Sequence, residues 1–361
     1  MRCYLGEGDR KEAWFTHLVP SGMLPALALD GELITESDDI LFTLDEAFGP
    51  LPSSPPLGDA SAVLPLRRLE RKLFRSWCDW LCRQNSQKVE ERAAANFAAV
   101  AAEVDFVLSG SSGSPYFLKT FGIADVIFAP YIERMSASLT YYKGYSLRGE
   151  NPSIDEWFRA METRPTYLGT QSDFSTHSHD LPPQMGSCHP SGCPRQSLAS
   201  AAIDQALPLP EGGCRRVTSF FPFEHETSSP RPGTAKAEAL TRVYAHRVQL
   251  AACNPLDVGV FDGAVRSALT FLVTGVPTKP PNGTAEGLRY LKDRVSVPRD
   301  MSLHAARCLR EALERTAALD GDGRGVGISV RDRRDQDPRP FVEAKERRER
   351  ERESGGGANS C

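Results

Sequence analysis

The fold is decided by residues 19–37, which read VPSGMLPALALDGELITES. Two short apolar runs, 23–29 and 32–35, flank Asp30-Gly31, a dipeptide typical of a two-residue hairpin turn. After Glu36-Ser37 the apolar residues recur at helical spacing, at Ile40, Leu41, Leu44 and Phe48. The stretch therefore predicts strand, turn, strand and helix, and residues 11–17 predict a short helix in front of it.

A different pattern follows the Pro/Gly/Ser-rich linker at 50–62. Residues 60–168 are predicted to be all-helical, with apolar stripes of the kind that helices bury. Within this segment an apolar helix over 123–135 is expected to break or kink at Pro130. Four side chains are predicted to lie in its core: Trp77, Phe97, Ala124 and Trp157.

The rest of the chain divides into three parts by composition. Residues 169–233 are rich in Pro, Gly and Ser and predict an extended, partly ordered connector. Residues 234–330 return to helical spacing, with helices expected over 237–252, 261–272, 285–293 and 302–319. Residues 331–361 are charged, poor in apolar side chains and predicted to be disordered.

Charge and cysteine usage narrow the class of protein. The formal net charge is −4, so no basic surface for nucleic acid or an anionic membrane is expected. No apolar run approaches the roughly 18 residues of a membrane span. Nine irregularly spaced cysteines without a visible targeting segment predict reduced thiols and a cytoplasmic protein. A plastid location is the alternative if a targeting segment precedes Met1.

Two separated blocks resemble the two domains of a glutathione S-transferase. The first comprises KEAWF at 11–15, the stretch at 19–37 and its hairpin. The second comprises FGIAD at 121–125, Pro152, WFRAM at 157–161 and Arg164-Pro165. The chain is similar over about residues 9–168 to omega-like and plant or algal members with long C-terminal extensions. Gly122 stands where the family usually has Ser or Thr, and Asp125 is interpreted as a helix cap rather than a catalyst.

The resemblance implies an α+β fold in which residues 1–52 form part of a thioredoxin-like domain. Residues 60–168 would be the all-α C-terminal domain, followed by the helical extension. It also implies that Pro25 is a cis-proline exposing the backbone of Leu24 to the cysteinyl part of glutathione. Ser37 would bind the γ-glutamyl carboxylate at a helix N-terminus, Glu36 the γ-glutamyl ammonium, and Lys11 the glycyl carboxylate.

The family's reactive Tyr, Ser or Cys follows the first strand of the domain. Only 24 residues precede Pro25, too few for the expected strand, helix, strand and helix. The reactive residue is therefore expected upstream of Met1 and the N-terminus is interpreted as truncated. Cys3 is the less favoured candidate, with Tyr4 beside it. As written, the chain is expected to bind glutathione weakly and turn over poorly.

The implied function is glutathione conjugation or glutathione-dependent thiol reduction, of the kind used in detoxification. Glutathione would be the co-substrate, and the partner a small electrophile or a disulfide. A homodimer is compatible with the resemblance. The alternative, from a different class, is a non-catalytic scaffold that binds another protein through the helical domain and the 234–330 extension.

A rival site lies in the predicted connector, where five ligand-type residues cluster: His177, His179, Cys188, His189 and Cys193. Two thiolates with imidazoles are a donor set that zinc accepts. The spacing matches none of the usual zinc knuckles, so no metal is expected and the cluster is interpreted as linker.

Overall fold

The computed structural model describes residues 13–21, 24–83, 86–111, 113–185, 187–204 and 233–320. The N-terminal part is a small α/β element, made of α1 (Ala13–Leu18), β1 (Leu27–Leu29), β2 (Glu32–Ile34) and α2 (Ser37–Phe48). The two strands pair antiparallel, with Leu27 opposite Ile34. The turn residues Asp30 (φ 51°) and Gly31 (φ 89°) both have the positive φ of a two-residue hairpin, as the Asp-Gly signal predicts.

The remaining described chain is helical. Its middle part contains α3 (Val63–Leu81), α4 (Gln87–Ser109), α5 (Ile123–Lys143), α6 (Leu147–Glu150), α7 (Pro152–Met161) and α8 (Pro165–Leu168). Its last part contains α9 (Phe174–Met185), α10 (Pro194–Asp204), α11 (Ala235–Ala245), α12 (Arg247–Cys253), α13 (Val258–Thr274), α14 (Ala285–Lys292), α15 (Leu303–Ala317) and a 3₁₀ turn (Ala318–Asp320). A thioredoxin-like piece followed by helices confirms the predicted α+β class.

The described chain forms two compact units. The N-terminal unit comprises residues 13–136 and 147–161, and the C-terminal unit comprises residues 137–146 and 162–320. In the N-terminal unit α3 packs on α4, and α4 on α7. The four predicted core side chains are all buried there, each at most 1% exposed: Trp77, Phe97, Ala124 and Trp157. The predicted helical bundle is therefore confirmed for this unit.

The C-terminal unit is built around α15, which packs against α11, α13 and α14. Its core is aliphatic with a few aromatic side chains, and Leu309 and Leu313 of α15 are at most 1% exposed. Helices were expected in these places, but the single helix predicted over 237–252 is two, α11 and α12, with a break at His246. The domain boundaries given above stay predictions, and the tail at 331–361 lies outside the described residues.

Pro130 does not break α5, which runs from Ile123 to Lys143 with the proline inside it, and a kink at this residue stays a prediction. The expected extended connector contains two helices, α9 and α10. Pro, Ser and His weaken the helical signal of these segments, but tertiary burial outweighs it, since Phe174, Leu181, Ala199 and Ile203 are at most 6% exposed.

Candidate functional site

The candidate site begins at the loop before β1. The Leu24–Pro25 peptide bond is cis, which confirms the expectation for Pro25. Leu24 is 68% exposed, so its backbone lies at the surface of the unit. A β1 strand that starts only at Leu27 leaves residues 24–26 without a strand partner in the hairpin.

The tight hairpin turn brings the chain back to the start of α2. Glu36 is the N-cap residue, with extended backbone (φ −91°, ψ 131°), and Ser37 is the first helical residue. Because the first N–H groups of a helix have no intrahelical acceptor, this end of α2 can donate to a ligand. Glu36 makes no side-chain capping bond, and both Glu36 and Ser37 are exposed.

The charges at this end of α2 restrict which ligand fits. Asp38 and Asp39 lie in the first turn, beside Glu36. Asp38 forms a 2.5 Å ion pair with Arg67, whose guanidinium also lies over the Phe42 ring at 5.4 Å. A simple anion would gain the helix N–H groups but meet the nearby carboxylates of Glu36 and Asp39. A zwitterion, with a carboxylate and an ammonium on one carbon, satisfies both sets of groups.

A buried acid lies close to this end of α2, and the sequence pattern did not single it out. Glu70 of α3 is 2% exposed and binds the Arg71 guanidinium through both carboxylate oxygens. Burial raises the pKa of Glu70, against the opposing effect of Arg71, and Asp38 and Arg67 also act on it electrostatically. Its sequence neighbours are mostly basic, so only the packing of α3 reveals that Glu70 faces inward.

Not every predicted site residue can be placed. Lys11, Cys3 and Tyr4 lie outside the described residues, as does everything before Ala13. Leu24, Pro25, Glu36 and Ser37 belong to one continuous loop–hairpin–helix element. An open cleft of about 380 Å³ on this element is lined instead by other residues, including Asp30, Glu32 and Glu46. The cleft is therefore separate from the candidate site.

In the described part of the chain, which includes the His/Cys cluster at 177–193, no three His, Cys, Asp or Glu side chains are grouped to hold an ion. His179 Nε2 is 2.8 Å from an Asp204 oxygen, and His189 Nε2 is 3.1 Å from Ser187 Oγ. Cys193 accepts a backbone bond from Gln196 N at the start of α10. The same described residues contain no helix that is long and apolar enough to cross a membrane.

Comparison with known proteins assigns both parts of the N-terminal half. Residues 2–47 match the family described as Glutathione S-transferase, N-terminal domain, and residues 73–169 match Glutathione S-transferase, C-terminal domain. The first segment contains every candidate glutathione-contacting residue.

Curated plant proteins share the same segment at low identity. Protein IN2-1 of Zea mays is 26% identical over 170 residues, which cover 45% of this chain and 65% of that protein. Glutathione S-transferase L3 and Glutathione S-transferase DHAR2, both of Arabidopsis thaliana, are 24% and 23% identical over 45% of this chain, covering 67% and 71% of their own lengths. The chain thus spans about two thirds of the curated relatives that it matches.

A solved structure, described as "Leishmania TDR1 - a unique trimeric glutathione transferase", aligns with 93% of this chain and 92% of its own at 13% identity and a TM-score of 0.41. That score is too low to carry an argument about fold or assembly. The two family matches and the named relatives agree independently of it. Residues 2–47 and 73–169 of this chain are thus similar to the N-terminal and C-terminal domains of the glutathione S-transferase family.

Proposed function

We propose that this chain binds glutathione along the element from Leu24 to Ser37 and uses it in conjugation or in thiol reduction. The observation that carries the proposal is the uncapped N-terminus of α2, with Ser37 in its first turn and Glu36 before it. The α-amino-acid end of the γ-glutamyl group is a zwitterion, which is the charge pattern that this end of α2 favours.

Each part of glutathione has a proposed partner. The γ-glutamyl carboxylate accepts from Ser37 N–H and Oγ, and the ammonium binds Glu36. The exposed backbone of Leu24, before Pro25, pairs with the cysteinyl amide as an added strand would. Lys11 binds the glycyl carboxylate, by its position in the family. The group that activates the thiol is not among these residues, and Cys3 stays the less favoured candidate for it.

The second substrate is proposed from the relatives' names alone. Two of the curated relatives are named as glutathione S-transferases, which supports a small electrophile or a disulfide as the second substrate. A cytoplasmic location and a homodimer stay proposals, as does a function in detoxification. No metal is proposed for the reaction.

The test is calorimetric titration of the full chain with glutathione. Ser37→Ala and Glu36→Gln should each weaken binding about 10-fold or more, because a hydrogen bond to a charged group contributes roughly 1.5–3 kcal/mol. Inorganic phosphate should not compete, whereas γ-glutamyl peptides should.

Matched controls separate the site from general effects on helices and charge. Ser86 is the N-cap of α4 and makes no capping bond, so Ser86→Ala should leave glutathione affinity unchanged. Glu46 is an exposed residue of the same helix α2, so Glu46→Gln is the matched control for Glu36→Gln. Equal losses in the site variants and their controls would contradict the proposed binding mode.

A non-catalytic scaffold is the second candidate function, and a feature of the C-terminal unit favours it. Four large apolar side chains on α11 to α13 are more than half exposed: Tyr244, Val248, Val258 and Val273. Exposed apolar residues of this kind suit protein binding. If the chain is only a scaffold, it should not conjugate a general aromatic electrophile at saturating glutathione. Measurable conjugation would rule out scaffolding as the sole function.

A further inference from the structure

Two cysteines lie at the C-terminal end of α3, in the N-terminal unit: Cys78 in its last turn and Cys82 as its C-cap residue. Cys78 and Cys82 are four residues apart, a spacing that places side chains on one helix face with Cβ atoms roughly 5–6 Å apart. The Cys82 N–H donates to the Cys78 carbonyl at 2.9 Å, which fixes the backbone of both residues in one helical turn.

The two side chains contact each other at the edge of a rigid core. Their thiols form a hydrogen bond, and both residues are half-buried, so they can be reached from solvent. Trp77 and Trp80, next to them on α3, are 1% and 5% exposed and anchor the helix. The sulfur atoms are therefore paired before any ligand arrives, which lowers the entropic cost of binding one to both.

The pair differs from an activated nucleophile. The hydrogen bond with Cys82, and next to it burial, raises the pKa of Cys78 well above that of a free thiol. Reactive cysteines show the opposite, a lowered pKa beside cations or helix N-termini. In a reaction at neutral pH, each of these thiols must therefore lose its proton as its sulfur forms the new bond.

We propose that Cys78 and Cys82 form a two-sulfur binding site for a soft trivalent metalloid centre, such as an organoarsenic(III) oxide. Soft centres prefer sulfur ligands. In the reaction two As–S bonds form, the As=O bond breaks, and the oxide leaves as water with the two thiol protons. The oxidation state of arsenic does not change, so no oxidant or reductant is needed. This site is independent of the proposed glutathione contacts.

Other uses of the pair fit the geometry less well. Zinc takes four ligands, and within the described ranges no group of three ligand-type side chains is arranged for a metal ion. A disulfide needs Cβ atoms about 3.5–4.5 Å apart, closer than residues four apart on a helix. A linear two-coordinate ion would push the sulfurs apart, whereas a pyramidal trivalent centre holds them near a right angle.

The probe is phenylarsine oxide, added in one equivalent to the reduced full chain and followed by intact-mass spectrometry. One phenylarsenic group should bind per chain, be released by ethane-1,2-dithiol and resist an equal amount of glutathione. Cys78→Ser and Cys82→Ser should each weaken binding on the order of 10²–10⁴-fold, because each removes the second attachment point.

Controls use two other cysteines of the described chain. Cys308→Ser and Cys193→Ser change a buried thiol and a thiol of the His/Cys cluster, and both should bind the probe like the natural chain. Peptide mapping of the unmutated protein gives a readout that does not depend on variants folding, since the bound probe should protect Cys78 and Cys82 together from maleimide. Protection of only one of them, or loss of the adduct in Cys193→Ser, would overturn the proposal.

Discussion

The Ser54 hydroxyl caps the N-terminus of α5, because the N-cap residue has no hydroxyl of its own. The N-cap is Gly122, and the Ile123 N–H donates to Ser54 Oγ at 3.1 Å. Asp125 completes the cap, because its carboxylate accepts from Gly122 N at 2.9 Å and from Trp157 Nε1 at 2.8 Å. A side chain at Gly122 would collide with this arrangement, since an added Cβ would lie 2.6 Å from Ser54 Oγ.

This geometry predicts that Gly122 and Ser54 can be substituted without a large loss of stability only when both are changed together. Gly122→Ser should destabilise the protein by about 1–3 kcal/mol through overpacking, and Ser54→Gly by about 1 kcal/mol through loss of the cap. In the double variant the serine at 122 can cap the helix and the collision is gone, so stability should largely recover. Urea unfolding of the four proteins checks this, and additive losses would contradict it.

Helix α5 shows how one element can accommodate a residue that usually ends it. Pro130 lies inside α5 and is exposed, so its ring is not needed for packing. Its missing N–H leaves the carbonyl four residues earlier, at Val126, without the usual helical donor. The apolar side chains on the buried face hold the helix together instead, among them Phe128 and Ile132 at 0% exposure.

Pro130→Ala should therefore raise the free energy of unfolding by about 1–2 kcal/mol. The restored N–H can donate within the helix, and the gain is partly offset by the greater entropy of the unfolded chain. Pro152, exposed at the first position of α7, is the matched control, because a proline there removes no interior helical bond. Chemical denaturation should show no gain for Pro152→Ala, and an equal gain in both variants would refute the explanation.

At the scale of the whole molecule, a buried ion pair in the C-terminal unit links α9, whose sequence has a weak helical signal, to α15, the last described α-helix. Asp173 caps α9, accepting from Thr176 N at 3.0 Å, and its carboxylate also binds the Arg310 guanidinium of α15. Arg310 also bonds Thr176 Oγ1, and Asp173 and Arg310 are 2% and 4% exposed. This ion pair bridges 137 residues of sequence.

The pair predicts a loss of stability in acid. Burial alone would raise the pKa of Asp173, but the charge and hydrogen bond of Arg310, the Thr176 hydrogen bond and the Arg307 charge together outweigh it and hold the pKa at about 2. The unfolded value is about 3.9, so the stabilisation is complete above about pH 4 and is lost as pH falls towards 2. It should amount to roughly 2–3 kcal/mol.

Urea unfolding between pH 2 and pH 5 measures this contribution. The double variant Asp173→Asn, Arg310→Met removes both charges together, which avoids leaving one of them buried alone. Its stability should fall less steeply over that range than that of the natural chain. Identical slopes would show that Asp173 does not titrate with a lowered pKa.

The sequence by itself determined those features that rest on local chemistry. Asp30-Gly31 fixed the hairpin because the turn needs positive φ at both residues, and the helical spacing of Trp77, Phe97 and Trp157 fixed which faces are buried. The family resemblance likewise located the loop–hairpin–helix element that holds Leu24, Pro25, Glu36 and Ser37.

Only the tertiary structure decided the features that depend on burial and on partners distant in sequence. Helices α9 and α10 form in a Pro- and Ser-rich segment because their apolar side chains are buried and Asp173 is bound by Arg310. Ser54 caps a helix that begins 69 residues later, and nothing in its local sequence indicates this. Local propensity is worth tenths of a kilocalorie per residue, whereas burial of one large apolar side chain contributes several times more.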